Sequence, residues 1–211
     1  MLVLSLIIGL TGNIASGKST VSKMFQERNI IVLDADKISR ELLRKGNIAY
    51  YQVIEKFGSK VLTPDKELNR QLLKQMIFKD NTKKVMLEAI IHPLVKQEIL
   101  TKIALLKKEP IIVLDIPLLF EAGYQNICHL IITVYTEKGV LLERLLSRDK
   151  ISVELAEKIF SSQMEPEQKS ELADYKIDNS DSFANTETQL TNILKKVGER
   201  YGIQTNIRKP S

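Results

Sequence analysis

Short apolar runs set between longer amphipathic stretches organise this chain. Residues 3–9, 30–33, 111–115 and 130–135 are aliphatic or β-branched with little polar alternation. That is the pattern of parallel strands covered on both faces. A weaker fifth run lies at 175–178. Helical periodicity follows the first and fourth runs, over 18–28 and 138–148, and a last helix is predicted to start at Thr186. There, Thr186 and Gln189 have the spacing of a capping box. Such alternation predicts a doubly wound α/β sheet.

Two stretches break the alternation. Residues 36–107 hold no convincing strand, while Leu68, Leu72, Leu73, Met76 and Ile77 recur at helical spacing and Pro93 stands where a helix would begin. A helical lobe inserted between the second and third strands is therefore expected. Residues 137–170 form a second helical excursion carrying Arg144, Arg148, Lys150 and Lys158. The expected organisation is one domain, with a core of residues 1–35, 108–136 and 171–205, a lobe of 36–107 and a lid of 137–170. Residues 206–211 read as a frayed tail.

Composition narrows the classes. With 211 residues, 44% of them hydrophobic and 27% charged, the chain can bury a full core. The net charge of +5 favours anionic ligands but is too small to indicate nucleic acid. Cys128 is the single cysteine, so no internal disulfide forms. Its neighbours Ile127, Leu130 and Ile131 predict an inert thiol in a reducing cytoplasm. The apolar start, residues 1–10, lacks a basic leader and reaches only about half a membrane span, so it is read as a strand. No later run is long enough to cross a bilayer, and a cytoplasmic protein without a membrane partner is expected.

The sharpest signal is Gly12-Asn13-Ile14-Ala15-Ser16-Gly17-Lys18-Ser19, a complete G-x-x-x-x-G-K-[ST] loop between a strand and a helix. Glycines let such a loop turn its N–H groups onto phosphate oxygens, and the following helix N-terminus adds partial positive charge. Lys18 can then reach the β- and γ-phosphates and Ser19 can ligate Mg²⁺. This predicts a P-loop kinase fold, a three-layer α/β sandwich that uses Mg·ATP on a small-molecule hydroxyl.

Three further groups bear on that chemistry. Leu33-Asp34-Ala35-Asp36 ends the second strand, where ligands gather in open α/β sheets. Alternation along a strand places Asp34 and Asp36 on the same side. One could accept the acceptor's proton and the other support the metal; the competing role for Asp36 is to cap the next helix. Asp115 closes an aliphatic run in the manner of a Walker B acid holding Mg²⁺. Arg144 and Arg148 share a helix face, suited either to a transferring phosphoryl group or to solvent. His129 is expected to be structural, whereas His92 could cap a helix or face an acceptor.

Taken in order, these residues resemble the dephospho-coenzyme A kinase family nearly end to end. The resemblance covers residues 8–21, Leu33 to Asp36 with Arg40, Leu68-Asn69-Arg70 and His92-Pro93-Leu94. It continues through Asp115-Ile116-Pro117-Leu118-Leu119-Phe120-Glu121, Arg144-Leu145, Arg148-Asp149, Gln163-Met164, Ala173-Asp174 and Asp178-Asn179. It implies transfer from ATP to the ribose 3′-hydroxyl of dephospho-CoA, with Mg²⁺ as cofactor. By position, it implies Asp36 as general base and Lys18 with residues 15–20 as phosphate cradle. It further implies Arg144 as a lid arginine, Arg70 and His92 on the acceptor side, and Asn179 near the adenine. Ser19, Asp115 and Asp34 are the expected metal contacts, and a monomer or weak homo-oligomer is expected. The chain departs from the family pattern at Asn13 and Ala15, where glycine is usual, and at Leu141, Lys158 and Asp181. Two other classes stay open: a P-loop kinase for a nucleoside monophosphate or sugar acid, and a nucleotide-dependent switch without turnover.

Overall fold

A computed structural model describes residues 5–203. Five strands form one sheet in the order β2-β3-β1-β4-β5. They are β1 (Leu6–Gly12), β2 (Ile31–Asp34), β3 (Ile111–Asp115), β4 (Leu130–Tyr135) and β5 (Tyr175–Asp178). β1 pairs in parallel with β3 and β4, and β4 with β5. Every residue of β1 and β3 is buried, which explains their unbroken apolar runs. β1 lies later than its expected span of 3–9 and continues through Gly12. Residues 3 and 4 of that span, the end of the expected core at 204–205 and the tail at 206–211 lie outside the described residues.

The chain divides into two compact units, one of residues 1–33 and 106–211 and one of Asp34–Leu105. In the first, α1 (Lys18–Glu27) and α9 (Phe183–Tyr201) cover one face of the sheet. Val21, Met24 and Phe25 of α1 and Leu190, Leu194 and Val197 of α9 pack with Ile8, Leu10, Val113 and Ile132. The second helical excursion, α6 (Lys138–Asp149), α7 (Val153–Phe160) and α8 (Pro166–Leu172), belongs to this unit too. Its own core is Leu141, Leu145, Ala156 and Phe160, against which Ile14 and Ala15 of the Gly12–Ser19 loop pack.

The second unit consists of α2 (Ala35–Leu42), α3 (Ile48–Phe57), α4 (Arg70–Lys79) and α5 (Asn81–Leu105). Tyr50, Val53, Phe57, Val61, Leu68, Leu73 and Leu87 form its core. Pro93 does not begin a helix: it stands inside the 25-residue α5. A proline there costs ~3 kcal/mol through its missing N–H and its clash with the preceding turn. Burial of Leu87 on one side and Val95 and Ile99 on the other carries the helix across it. The true start is marked by Asp80, whose Oδ1 accepts from the N–H groups of Thr82 and Lys83.

The last helix also starts earlier than expected. Ser182 caps α9 by accepting from Asn185 N–H, and Thr186 lies inside the first turn. Thr186 and Gln189 therefore form no capping box. Gln189 instead brackets Asp178, accepting from its N–H and donating to its carbonyl.

Candidate functional site

The loop after β1 is held from three sides. Gly17 has φ +85°, a conformation glycine adopts without penalty, and a Cβ there would fall 2.0 Å from the Asn179 amide nitrogen. That nitrogen donates to the Ser16 carbonyl at 2.8 Å, and Thr136 Oγ1 donates to the same oxygen at 3.1 Å. Asn179 Oδ1 accepts from Thr186 at 2.7 Å, so a buried polar chain runs from α9 to the loop. On the loop's other side, Asn13 donates to the Met164 carbonyl at 2.8 Å, and Ile14 N–H donates to Gln163 Oε1 at 3.1 Å. Ala15 occupies the left-handed region at φ +65°, where the family pattern has glycine.

At the loop's end Lys18, the first residue of α1, forms an ion pair with Asp115 at the end of β3. Parallel pairing of β1 with β3 places Leu10 opposite Asp115 and so brings the acid beside the loop. Their side chains are 17% and 6% exposed, so little water screens the pair. The Ser16 hydroxyl is buried beside it in sequence and has no hydrogen-bond partner among the described residues. Ser19, the residue after Lys18, is exposed. The result is a cradle of backbone N–H groups, one cation, one carboxylate and two hydroxyls, a donor set suited to polyphosphate with a hard cation.

Arg144 of α6 donates to the Asn179 carbonyl at 3.0 Å, which ties α6 to the residue bracing the loop. Arg148 pairs with its neighbour Asp149. Leu141 is fully buried against Leu145, Ala156 and Phe160, so it is a packing residue. Asn179, expected near the adenine, spends its side-chain amide on the loop and on Thr186. His129 is structural: its Nδ1 accepts from Ile7 N–H and its backbone N–H donates to the Ile7 carbonyl, each at 2.8 Å.

In the second unit, Asp34 caps α2, its Oδ1 accepting from Lys37 N–H at 2.9 Å. Asp36 lies in the first helical turn and is not the cap. The alternation argument for Asp34 and Asp36 fails here because β2 stops at Asp34 and α2 begins at Ala35. Arg70 opens α4, capped by Asn69, and donates to the Arg40 carbonyl at 3.1 Å. His92 lies within α5, one residue before Pro93, and so caps no helix.

Sequence reasoning passed over Lys169 and Glu121 as working parts. Lys169 is fully buried, yet stands at a position with no apolar pattern to mark it. Glu121 belongs to the most distinctive segment, but only the fold shows what it meets.

Comparison with known proteins is consistent along the chain. The dephospho-CoA kinase family model matches residues 6–185. A dephospho-CoA kinase from Oceanobacillus iheyensis is 42% identical over 195 residues, covering 92% of this chain and 98% of that protein. Among solved structures, TT1252 from Thermus thermophilus superposes with a TM-score of 0.78 at 28% identity, covering 92% of this chain and 98% of that one. The dephospho-CoA kinase from Campylobacter jejuni gives 0.69 at 30% identity, with the same coverage.

Proposed function

Because the chain belongs to the dephospho-CoA kinase family, we propose that it phosphorylates the ribose 3′-hydroxyl of dephospho-CoA with ATP, completing coenzyme A. The observation that carries this reading is the braced Gly12–Ser19 loop with Lys18 set against Asp115.

The roles follow from chemistry. Loop N–H groups from Asn13 to Thr20, extended by the first turn of α1, bind the ATP phosphates. Lys18 exchanges its contact with Asp115 for the β- and γ-phosphates and meets the charge that spreads during transfer. The oxygen donors Ser19 and Asp115 fit Mg²⁺, which needs only one or two protein ligands when phosphates supply others. The remaining oxygen of Asp34 would act through water. When bound there with ATP, Mg²⁺ would supply positive charge against that of the phosphates. Among the described residues, no cluster of three or more His, Cys, Asp or Glu forms a dedicated cage, which suits a metal brought in with its nucleotide.

Asp36 is assigned as general base toward the acceptor hydroxyl. It follows the carboxyl end of β2 by two residues, and Asp34 relieves it of the capping task. Arg70 and His92 are assigned to the acceptor and Arg144 to the phosphates. Asn179 serves ATP through the loop it holds. A monomer or weak homo-oligomer acting in the cytoplasm completes the reading. No described helix is long and apolar enough to cross a membrane.

Coupled ADP release with candidate acceptors tests the proposal. Dephospho-CoA should stimulate release far above AMP, CMP, shikimate or gluconate, and its 3′-deoxy analogue should give only background. Equal turnover on any of the four alternatives, or on the 3′-deoxy compound, defeats it.

A further inference from the structure

Lys169 of α8 is 0% exposed, less than any other charged side chain among the described residues. An ammonium taken wholly out of water is costly unless its partners are well placed. Here Nζ donates to the Pro117 carbonyl and pairs with Glu121 Oε1, each at 3.1 Å. Burial pushes Lys169 below the usual lysine range, Glu121 opposes that, and the positive charge of Lys18 adds to the lowering.

Its two partners lead to both halves of the phosphate site. The Pro117 carbonyl, two residues beyond Asp115, also accepts from Thr11 Oγ1 at 2.9 Å. Glu121 Oε1 also accepts from Met164 N–H at 3.0 Å. The Met164 carbonyl in turn takes the Asn13 amide at 2.8 Å, and neighbouring Gln163 takes Ile14 N–H. One cation therefore grips the segment after β3 near both ends, and through Met164 that grip continues into the loop. If the site needed only a staple, an apolar residue of similar volume would serve as well or better.

We propose that Lys169 is a positioning residue for phosphoryl transfer, keeping Asp115 and the Gly12–Ser19 loop in mutual register through Pro117, Glu121 and Met164. The proposal rests on the kinase reading above for the reaction it serves. It goes beyond that reading in giving the root of the lid a part in the chemistry.

The test compares wild type, Lys169→Met, Glu121→Gln, Asn13→Ala and the Lys169→Met/Asn13→Ala pair. Readouts are melting, ATP affinity by calorimetry, and kcat with KM for dephospho-CoA, each per folded molecule. Since a misplacement of about 1 Å can cost ~100-fold, Lys169→Met should lower kcat by roughly 30- to 100-fold. It should also weaken ATP about tenfold while KM for dephospho-CoA stays within about twofold. Its effect on ATP affinity should be less than additive with Asn13→Ala, because both cut one path. Glu121→Gln keeps an acceptor for Met164 but loses the countercharge, and it should show the same split at smaller size even where Lys169→Met does not fold. Full kcat and ATP affinity in folded Lys169→Met overturn the proposal, as does activity falling only with the folded fraction. Where Lys169→Met is unfolded, wild-type kinetics in Glu121→Gln overturn it instead. Wild type that binds ATP but ignores dephospho-CoA would sink the kinase reading separately, and ATP affinity would still judge Lys169.

Discussion

Replacing Lys18 by methionine keeps the aliphatic stem and removes the ammonium, with two separable consequences. Asp115, 6% exposed, is left without its cation. Removing one partner of a buried pair costs about 3–5 kcal/mol, and Lys18's own 17% exposure points to the lower end, about 3. At ~2–4 °C per kcal/mol for a chain of this size, melting should fall by roughly 6–12 °C. Transfer loses a cation aimed at developing charge, worth roughly 3–4 kcal/mol or two to three decades in kcat. Adding Asp115→Asn removes the stranded charge, so the double variant should recover most of the melting temperature and none of the activity. Differential scanning fluorimetry and single-turnover ADP formation, both at pH 7.5, separate the two effects. If Lys18→Met melts within 2 °C of wild type, the ion pair contributes nothing. Turnover within threefold would show that Lys18 does not serve the phosphates.

Asp36→Asn should leave melting near normal and lower kcat ~100-fold or more as the base is lost, whereas Asp34→Ala should cost ~1 kcal/mol of stability by uncapping α2; reversed outcomes in melts and steady-state rates would exchange the two roles. Ala15→Gly should raise stability by up to about 1 kcal/mol in denaturant titration, because the left-handed backbone costs alanine ~1–2 kcal/mol and glycine's extra unfolded freedom returns part of it. Burial raises the Cys128 thiol from 9.0 to about 12, so at pH 8 a disulfide reagent should react at least ~100-fold more slowly in native than in denatured protein. The unfolded thiol ionises first, so the stability present below pH 9 should be lost progressively as pH rises from about 9 to about 12, and Cys128→Ala should flatten that part of the profile.

Strands β3 and β4 were legible to the residue because each is a short apolar run, and the bounds of β5 were placed correctly on a weaker one. The Gly12–Ser19 loop was legible because its chemistry admits few alternatives at fixed spacing. Helix starts were less so. Thr186 and Pro93 carry strong local signals, but Ser182 and Asp80 took the caps, and packing on both sides of Pro93 outweighed its local cost. Asp34 and Asp36 could not be told apart until the end of β2 decided which carboxylate faces the first turn of α2. The Lys169 network escaped because its links join residues 43 to 151 positions apart, and Lys169 itself carries no local signal.

The Asp34–Leu105 unit leaves the sheet after β2 and returns at β3, and those two strands are neighbours in the sheet order. It is therefore a single enlarged crossover, of the kind any adjacent parallel pair requires. Lengthening, shortening or exchanging this segment alters no residue of the β1–β3 pairing or of the Gly12–Ser19 loop. Inheritance can thus act on the two ends of the reaction at different speeds. The fuel-handling half is fixed by strands scattered along the whole chain, and the α2–α5 cassette can be exchanged in one recombination between two neighbouring strands.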